Sequence, residues 1–246
     1  MNNKIVVALV VLGVLVSLVL NEMSEDGPSN NPEPITPNWA AIAAWPNLSS
    51  DTIEAQPDPN RRVTAIVLDD SGSMKGDMEA AKKAVTGALD AMAADDRVAV
   101  VALNAGTVLP FASVADAKSE LPALLAPIAS DGGTPLTSAI QSAQNLLAAE
   151  AAAARGFGTF RLIVTTDGAA DDGRALDEEI ERLAVSTPIQ VTTIGIGIKG
   201  GHVLRRADLG SFVDVANVSA LQGALEAAVA ENTDFTAITE FGAQGG

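Results

Sequence analysis

Five oxygen-bearing side chains stand at three points of the chain. Asp69, Ser71 and Ser73 lie in Asp69-Asp70-Ser71-Gly72-Ser73-Met74, Thr134 in Gly132-Gly133-Thr134-Pro135-Leu136, and Asp167 in Thr165-Thr166-Asp167-Gly168. All are hard oxygen donors, the kind Mg²⁺ takes into a near-octahedral shell completed by water. Three of the five are neutral hydroxyls, and only Asp69 and Asp167 carry charge. A cation held this way is under-neutralised and can accept a carboxylate from outside. The first segment alone has a plainer explanation, because Asp and Ser also cap helix starts. Three such segments, each at a strand end or a helix start, are poorly explained as caps.

The elements that must position these groups follow from the apolar pattern. Residues 63–68, 97–103, 161–166, 189–194 and 212–215 read as strands, with 107–111 as an edge strand. Helical composition covers 75–92, 115–128 (limited by Pro122 and Pro127), 134–154, 172–185 and 219–230. This alternation predicts an α/β, Rossmann-like domain with a mainly parallel central sheet and helices on both faces. Ligands of such sheets bind beyond the carboxyl ends of the strands, and Asp69 and Asp167 sit just past two of them.

The order and spacing of DxSxSM, GGTPL and TDG resemble the von Willebrand factor type A (VWA) domain with its metal-ion-dependent adhesion site. The resemblance runs over roughly residues 63–230. It implies a VWA fold and a divalent cation, Mg²⁺ (or Mn²⁺ or Ca²⁺), held by Asp69, Ser71, Ser73, Thr134 and Asp167. It further implies a protein partner that offers an acidic side chain to the metal, in adhesion or complex assembly, and no enzymatic activity. Two features depart from the pattern or stand outside it. Leu103-Asn104 has Leu where the family usually has Phe before Ser, Asp or Asn, a change expected to touch packing more than metal. Asp70 fills the variable position and is expected to be solvated.

Hydrophobic residues make up 48% of the 246-residue chain and aromatics only 3%, so the core must be aliphatic. The net charge of −16, with no Lys/Arg run, argues against a nucleic-acid partner. The absence of cysteine removes disulfides, thiolate metal sites and a lipoprotein anchor, and leaves the compartment open. Residues 5–21 carry no charge, enough for about 25 Å of helix at 1.5 Å per residue. Lys4 precedes this run and Glu22, Glu25 and Asp26 follow it, which predicts a single-pass membrane protein with its domain outside the cytoplasm. No small-residue cleavage pattern lies near Leu20, so an uncleaved anchor fits better than a cleaved signal and a secreted form.

The expected layout is an anchor or signal at 1–22, a Pro-rich linker at 23–61, a VWA domain at 62–231 and a flexible tail at 232–246. Within the linker, residues 39–45 hold both tryptophans, Trp39 and Trp45. Docking on the domain is the plainer expectation for them; a membrane-interface or partner contact is the sharper one.

Two rival functions can be weighed from the residues. Gly195-Ile196-Gly197-Ile198-Lys199-Gly200 matches GxGxxG, but only 46 residues follow it, too few for a dinucleotide fold, so no nucleotide is expected. A metal-dependent phosphoryl-transfer hydrolase would also place an Asp after the first strand, as nucleophile. The residue two later would then usually be a second acid, and here it is Ser71; no lysine follows Thr134 to position a phosphate. A scaffold that leaves its metal site unused is the third reading. His202, the one histidine, is expected to be an exposed loop residue, and with no cysteine it supports neither a Ser-His-Asp triad nor a zinc site.

Overall fold

Side chains of residues 63–68 alternate between two apolar layers. Val63, Ala65 and Val67 enter one and Ile66 and Leu68 the other, all fully buried. A strand covered by helices on both faces needs this continuous apolar run. The computed structural model describes residues 35–46, 60–154 and 158–230. Among them β1 (Arg62–Leu68), β2 (Arg97–Ala102), β3 (Gly106–Ser113), β4 (Thr159–Thr166), β5 (Gln190–Ile196) and β6 (Ser211–Val215) form one sheet. The order across it is β3-β2-β1-β4-β5-β6, with β3 antiparallel to β2 and every other pair parallel.

Helices α2 (Met78–Ala88), α3 (Val114–Leu125) and α6 (Leu221–Ala230) cover the face that carries Ile66, Val100, Ile163 and Ile194. Helices α4 (Leu136–Ala153) and α5 (Gly173–Ser186) cover the face that carries Val67, Leu162 and Val164. The expected α/β architecture is therefore present. Each fully buried Leu or Ile contributes about 1.5–3 kcal/mol by leaving water. Alanines such as Ala139, Ala143 and Ala151 of α4 let that helix approach the sheet without aromatic filler.

Several boundaries differ from the sequence reading. The expected helix at 75–92 is broken into a tight 3₁₀ turn (Gly72–Gly76), α2, and a second 3₁₀ turn (Leu89–Ala91). Met74 is buried inside the first turn and its carbonyl accepts from Asp77 N at 2.8 Å, which closes the turn before α2 begins. Helix α4 begins at Leu136 rather than Thr134, because Pro135 has ψ 57° and the Thr134 carbonyl is taken by Leu136 N and Asp171 N. Pro122 lies inside α3 without ending it. The edge strand β3 is longer than expected and holds Pro110 where the β2–β3 register shifts, a place that tolerates a missing N–H.

Residues 35–46, within the expected linker, lie on the domain. Ile35 and Trp45 pack against the α4–α5 side of the core, and Trp45 meets Phe160 edge-to-face at 4.9 Å. Helix α1 (Trp39–Ala44) is held to the end of α5 by Asn38 N donating to Val185 O at 2.9 Å. The two tryptophans part company: Trp45 docks, while Trp39 is 71% exposed. The expected membrane span and tail lie outside the described residues. Among the described residues no helix is long and apolar enough to cross a membrane.

Candidate metal site

Strands β1 and β4 are neighbours, yet the chain leaves β1 toward β2 on one side and β4 toward β5 on the other. Their exit loops diverge and open a crevice at this switch point, where ligands of α/β sheets bind. Asp69 is the first residue after β1 and Asp167 the first after β4, with Val67 paired to Val164 just below. Thr165 stitches the two strand ends together. Its hydroxyl donates to Val67 O at 3.0 Å and accepts from Asp69 N at 3.3 Å.

Hydrogen bonds connect four of the five expected ligands. The Ser71 and Ser73 hydroxyls lie 3.0 Å apart, and Ser73 Oγ donates to Asp167 Oδ1 at 2.7 Å. Asp69 Oδ1 accepts from Ser71 N at 2.9 Å, and Asp69 Oδ2 accepts from Asp167 N at 3.3 Å. A carboxylate oxygen has a second lone pair, so both Asp69 oxygens retain capacity for a cation. Asp69 is fully buried, whereas Ser73 is exposed, so the cluster rises from the sheet to the surface.

Thr134 stands in the loop that leads into α4, and its carbonyl accepts from Asp171 N at 3.1 Å. Its hydroxyl bonds none of the four, but its loop is tied to theirs by Gly72 N donating to Gly132 O at 3.1 Å. The two glycines before it have steric reasons. Gly132 has φ +76°, and a Cβ there would fall 2.5 Å from Asn104 Oδ1. A Cβ on Gly133 would fall 2.4 Å from Asp171 Oδ2.

The electrostatics of the crevice favour a cation. Burial pushes Asp167 above the usual carboxylate range, the Ser73 hydrogen bond opposes this, and the charges of Asp69 and Asp77 raise it further. None of Asp69, Asp77, Asp167 or Asp171 has an Arg or Lys at ion-pair distance among the described residues. Nor do three or more His, Cys, Asp or Glu side chains group as metal ligands among the described residues. A metal here would rely on hydroxyls and waters as much as on charge, which fits Mg²⁺, Mn²⁺ or Ca²⁺.

Two residues differ from expectation. Asp70 is not solvated: it is 1% exposed, with both carboxylate oxygens engaged by the turn after β2. Two successive acids at a strand end cannot both point into one crevice, and the second turns the other way to serve a neighbouring turn. His202 is half-buried rather than exposed. Its Nε2 lies 3.0 Å from Gly168 O, and its Nδ1 accepts from Leu204 N at 3.1 Å, so the neutral ring with the proton on Nε2 satisfies both. Burial holds its pKa below the usual value; the Gly168 carbonyl opposes this and the Arg205 charge adds to it. Thr165 and Asp171 were not singled out from sequence, and Asn104 was noted only for its place in the family pattern after β2. The signal for Thr165 lay in the repeated threonines before Asp167, whereas Asn104 and Asp171 act through contacts that no local pattern announces.

In the GxGxxG segment Gly195 serves packing, whereas Gly197 and Gly200 take positive φ, +64° and +97°. A Cβ on Gly195 would lie 2.6 Å from the Phe212 ring. The von Willebrand factor type A domain profile matches residues 65–244. The chain belongs to the VWA family.

Solved structures agree on the fold. One is a von Willebrand factor type A protein from Catenulispora acidiphila, at 20% identity and TM-score 0.56, over 70% of this chain and 42% of that one. Another is the proximal thread matrix protein 1 of the mussel byssus, described with a zinc-occupied MIDAS motif, at 19% identity and TM-score 0.58, over 71% and 48%. A third is the pilus adhesin SpaC from Lactobacillus rhamnosus GG in an open conformation, at 13% identity and TM-score 0.57, over 72% and 30%. The VWA chain thus spans less than half the length of each of these three structures. No curated protein sequence matches it significantly.

Proposed function

We propose that this protein is a membrane-anchored, extracytoplasmic VWA module that binds a protein partner through a divalent cation. VWA domains are typically adhesion or protein-interaction modules. The cation, Mg²⁺ or a close substitute, would be held by Asp69, Ser71, Ser73, Thr134 and Asp167. The observation that carries the reading is the linked set Ser71–Ser73–Asp167, at 3.0 and 2.7 Å, above the buried Asp69 carboxylate. With two carboxylates for a doubly charged ion in a crevice open to the surface, the remaining coordination falls to water or to a partner's Asp or Glu. When bound, the metal supplies an electrophilic point for that carboxylate; the chain's own residues orient it and limit its water. The zinc described in the mussel protein's MIDAS motif supports a metal at this position of the fold.

The module binds rather than catalyses in this reading. Ser71 stands where a phosphoryl-transfer hydrolase would usually use a second acid. Anchoring rests on the uncharged run at residues 5–21 with Lys4 before it and acids after it.

The test is capture of partners by the full chain from native membranes, with and without chelator. Metal-dependent capture, lost in both Asp69→Ala and Thr134→Ala, is the expected result. Capture that survives chelator and both substitutions places the partner elsewhere on the domain. For topology, protease added to spheroplasts should degrade the domain, and a mature N-terminus beyond Leu20 would mean a secreted form.

A further inference from the structure

Asp70 is a buried carboxylate that the proposed ligand set does not use. Taking such a charge out of water is costly unless hydrogen bonds replace its hydration. Here they do, and all of them come from one place. Asp70 Oδ1 accepts from Asn104 N at 2.7 Å and from Asn104 Nδ2 at 3.2 Å, and Oδ2 accepts from Ala105 N at 3.0 Å. The Asn104 amide then reaches on, donating to Gly133 O at 3.0 Å. The Asp70 carbonyl accepts from Asp131 N at 2.9 Å. So the segment before Thr134 is gripped three times: at Asp131 by the Asp70 backbone, at Gly132 by Gly72 N, and at Gly133 by the Asn104 side chain. The absent Cβ of Gly132 is what lets Asn104 lie against that loop.

We propose that Asp70 and Asn104 are positioning residues of the metal site, a clamp with a buried carboxylate and an exposed amide that holds the Thr134 loop where its hydroxyl can reach the cation. The proposal rests on the metal reading given above. Its physical content is preorganisation: a loop already fixed has less freedom to lose when the metal binds. Neither residue is a ligand, since both Asp70 oxygens face residues 104–105 and the Asn104 amide faces Asp70 and Gly133. The clamp also gives Asn104, where the family pattern is met by an amide rather than a hydroxyl, a role beyond packing.

The experiment uses the full chain, Mn²⁺ as probe, and Asn104→Ala, Asp70→Asn, Thr134→Ala and the double variant Asn104→Ala/Thr134→Ala. Residues that orient metal ligands typically cost 10- to 100-fold in affinity when lost, so Asn104→Ala should weaken Mn²⁺ about tenfold by calorimetry. In the Thr134→Ala background it should weaken it no further, because the ligand it positions is already gone. Metal-free hydrogen exchange at the Asp131 amide should quicken in Asn104→Ala while the β1 and β4 amides stay protected. Should Asp70→Asn fail to fold, Asn104→Ala alone decides, since it leaves both backbone donors on Asp70. Unchanged Mn²⁺ affinity in Asn104→Ala overturns the clamp, as does a tenfold loss repeated in full on Thr134→Ala. If the wild-type chain binds no Mn²⁺, the site reading itself falls and takes this role with it. Faster exchange at Asp131 alongside would then mark a clamp that serves only the fold.

Discussion

The two ends of the β1–β4 strand pair treat charge in opposite ways. At the amino ends of β1 and of β2 beside it, Arg97 meets Glu150 at 2.8 Å, Arg61 meets the same carboxylate at 3.7 Å, and Arg62 meets Asp96 at 2.9 Å. At the carboxyl ends, Asp69 and Asp167 converge with Asp77 nearby, and among the described residues no basic side chain lies at ion-pair distance from them. One end neutralises itself within the chain and so contributes to holding the fold. The other is left electrostatically incomplete, satisfied by backbone N–H groups and hydroxyls that cannot cancel its charge. The difference supports the proposed cation site: it lies at the end where, among the described residues, the anions have no basic partner.

The comparison breaks most readily at Asp167. Asp167→Ala should reduce Mg²⁺ or Mn²⁺ affinity more than about 100-fold by calorimetry, since even residues that merely orient ligands cost 10- to 100-fold. Stability of the metal-free chain should hold or rise, because the substitution removes a half-buried charge crowded by Asp69 and Asp77. Glu150→Ala should show the reverse pattern. It leaves Arg97 and Arg61 without their carboxylate and should cost about 1–3 kcal/mol in urea unfolding, with metal affinity unchanged. If both variants change both quantities, the ends are not separable.

Saturating metal sharpens the contrast further. A ligand that binds only the folded chain stabilises it by about 2.7 kcal/mol at a hundredfold excess over Kd. Millimolar Mg²⁺ should therefore raise the melting temperature of wild type and of Glu150→Ala alike, and leave that of Asp167→Ala where it was.

The strands were legible because their side chains answer to one rule, alternation between two apolar layers, as at 63–68. Asp69, Ser71, Ser73, Thr134 and Asp167 are proposed as ligands because they are oxygen donors near element boundaries in an order that resembles the VWA motif, and the structure links four of them by hydrogen bonds. What stayed hidden was decided between segments. The broken start of α2 depends on Met74 finding a place in the core. The docking of Trp45 depends on Phe160, far along the chain. Asp70 reads as a surface acid until the turn at Asn104 is folded against it, 34 residues away. Composition cannot show that a charge will be buried when its compensating donors come from another loop.

His202 supplies the smallest expected effect, at the same end of the sheet as the metal site. In the folded chain its neutral ring bridges Gly168 O and Leu204 N, and burial keeps its pKa below the usual value of about 6.5. The unfolded chain therefore takes up a proton first as pH falls. Stability should be fully present above about pH 7, decline as pH drops through about 6.5, and level off once the folded-state pKa is passed. Asp167 works in the opposite sense: its raised pKa means the folded, metal-free chain takes up that proton more readily, so stability is regained at more acidic pH. Subtracting the curve of His202→Gln from that of wild type, both in chelator, cancels the carboxylates and isolates the imidazole. The glutamine amide can still donate to Gly168 O, so the substitution removes titration without emptying the bridge. Urea midpoints at half-unit steps from pH 8 to 5 should show wild type losing ground to His202→Gln below about pH 7. Parallel curves would mean that burial does not hold the His202 pKa below its usual value in the folded chain.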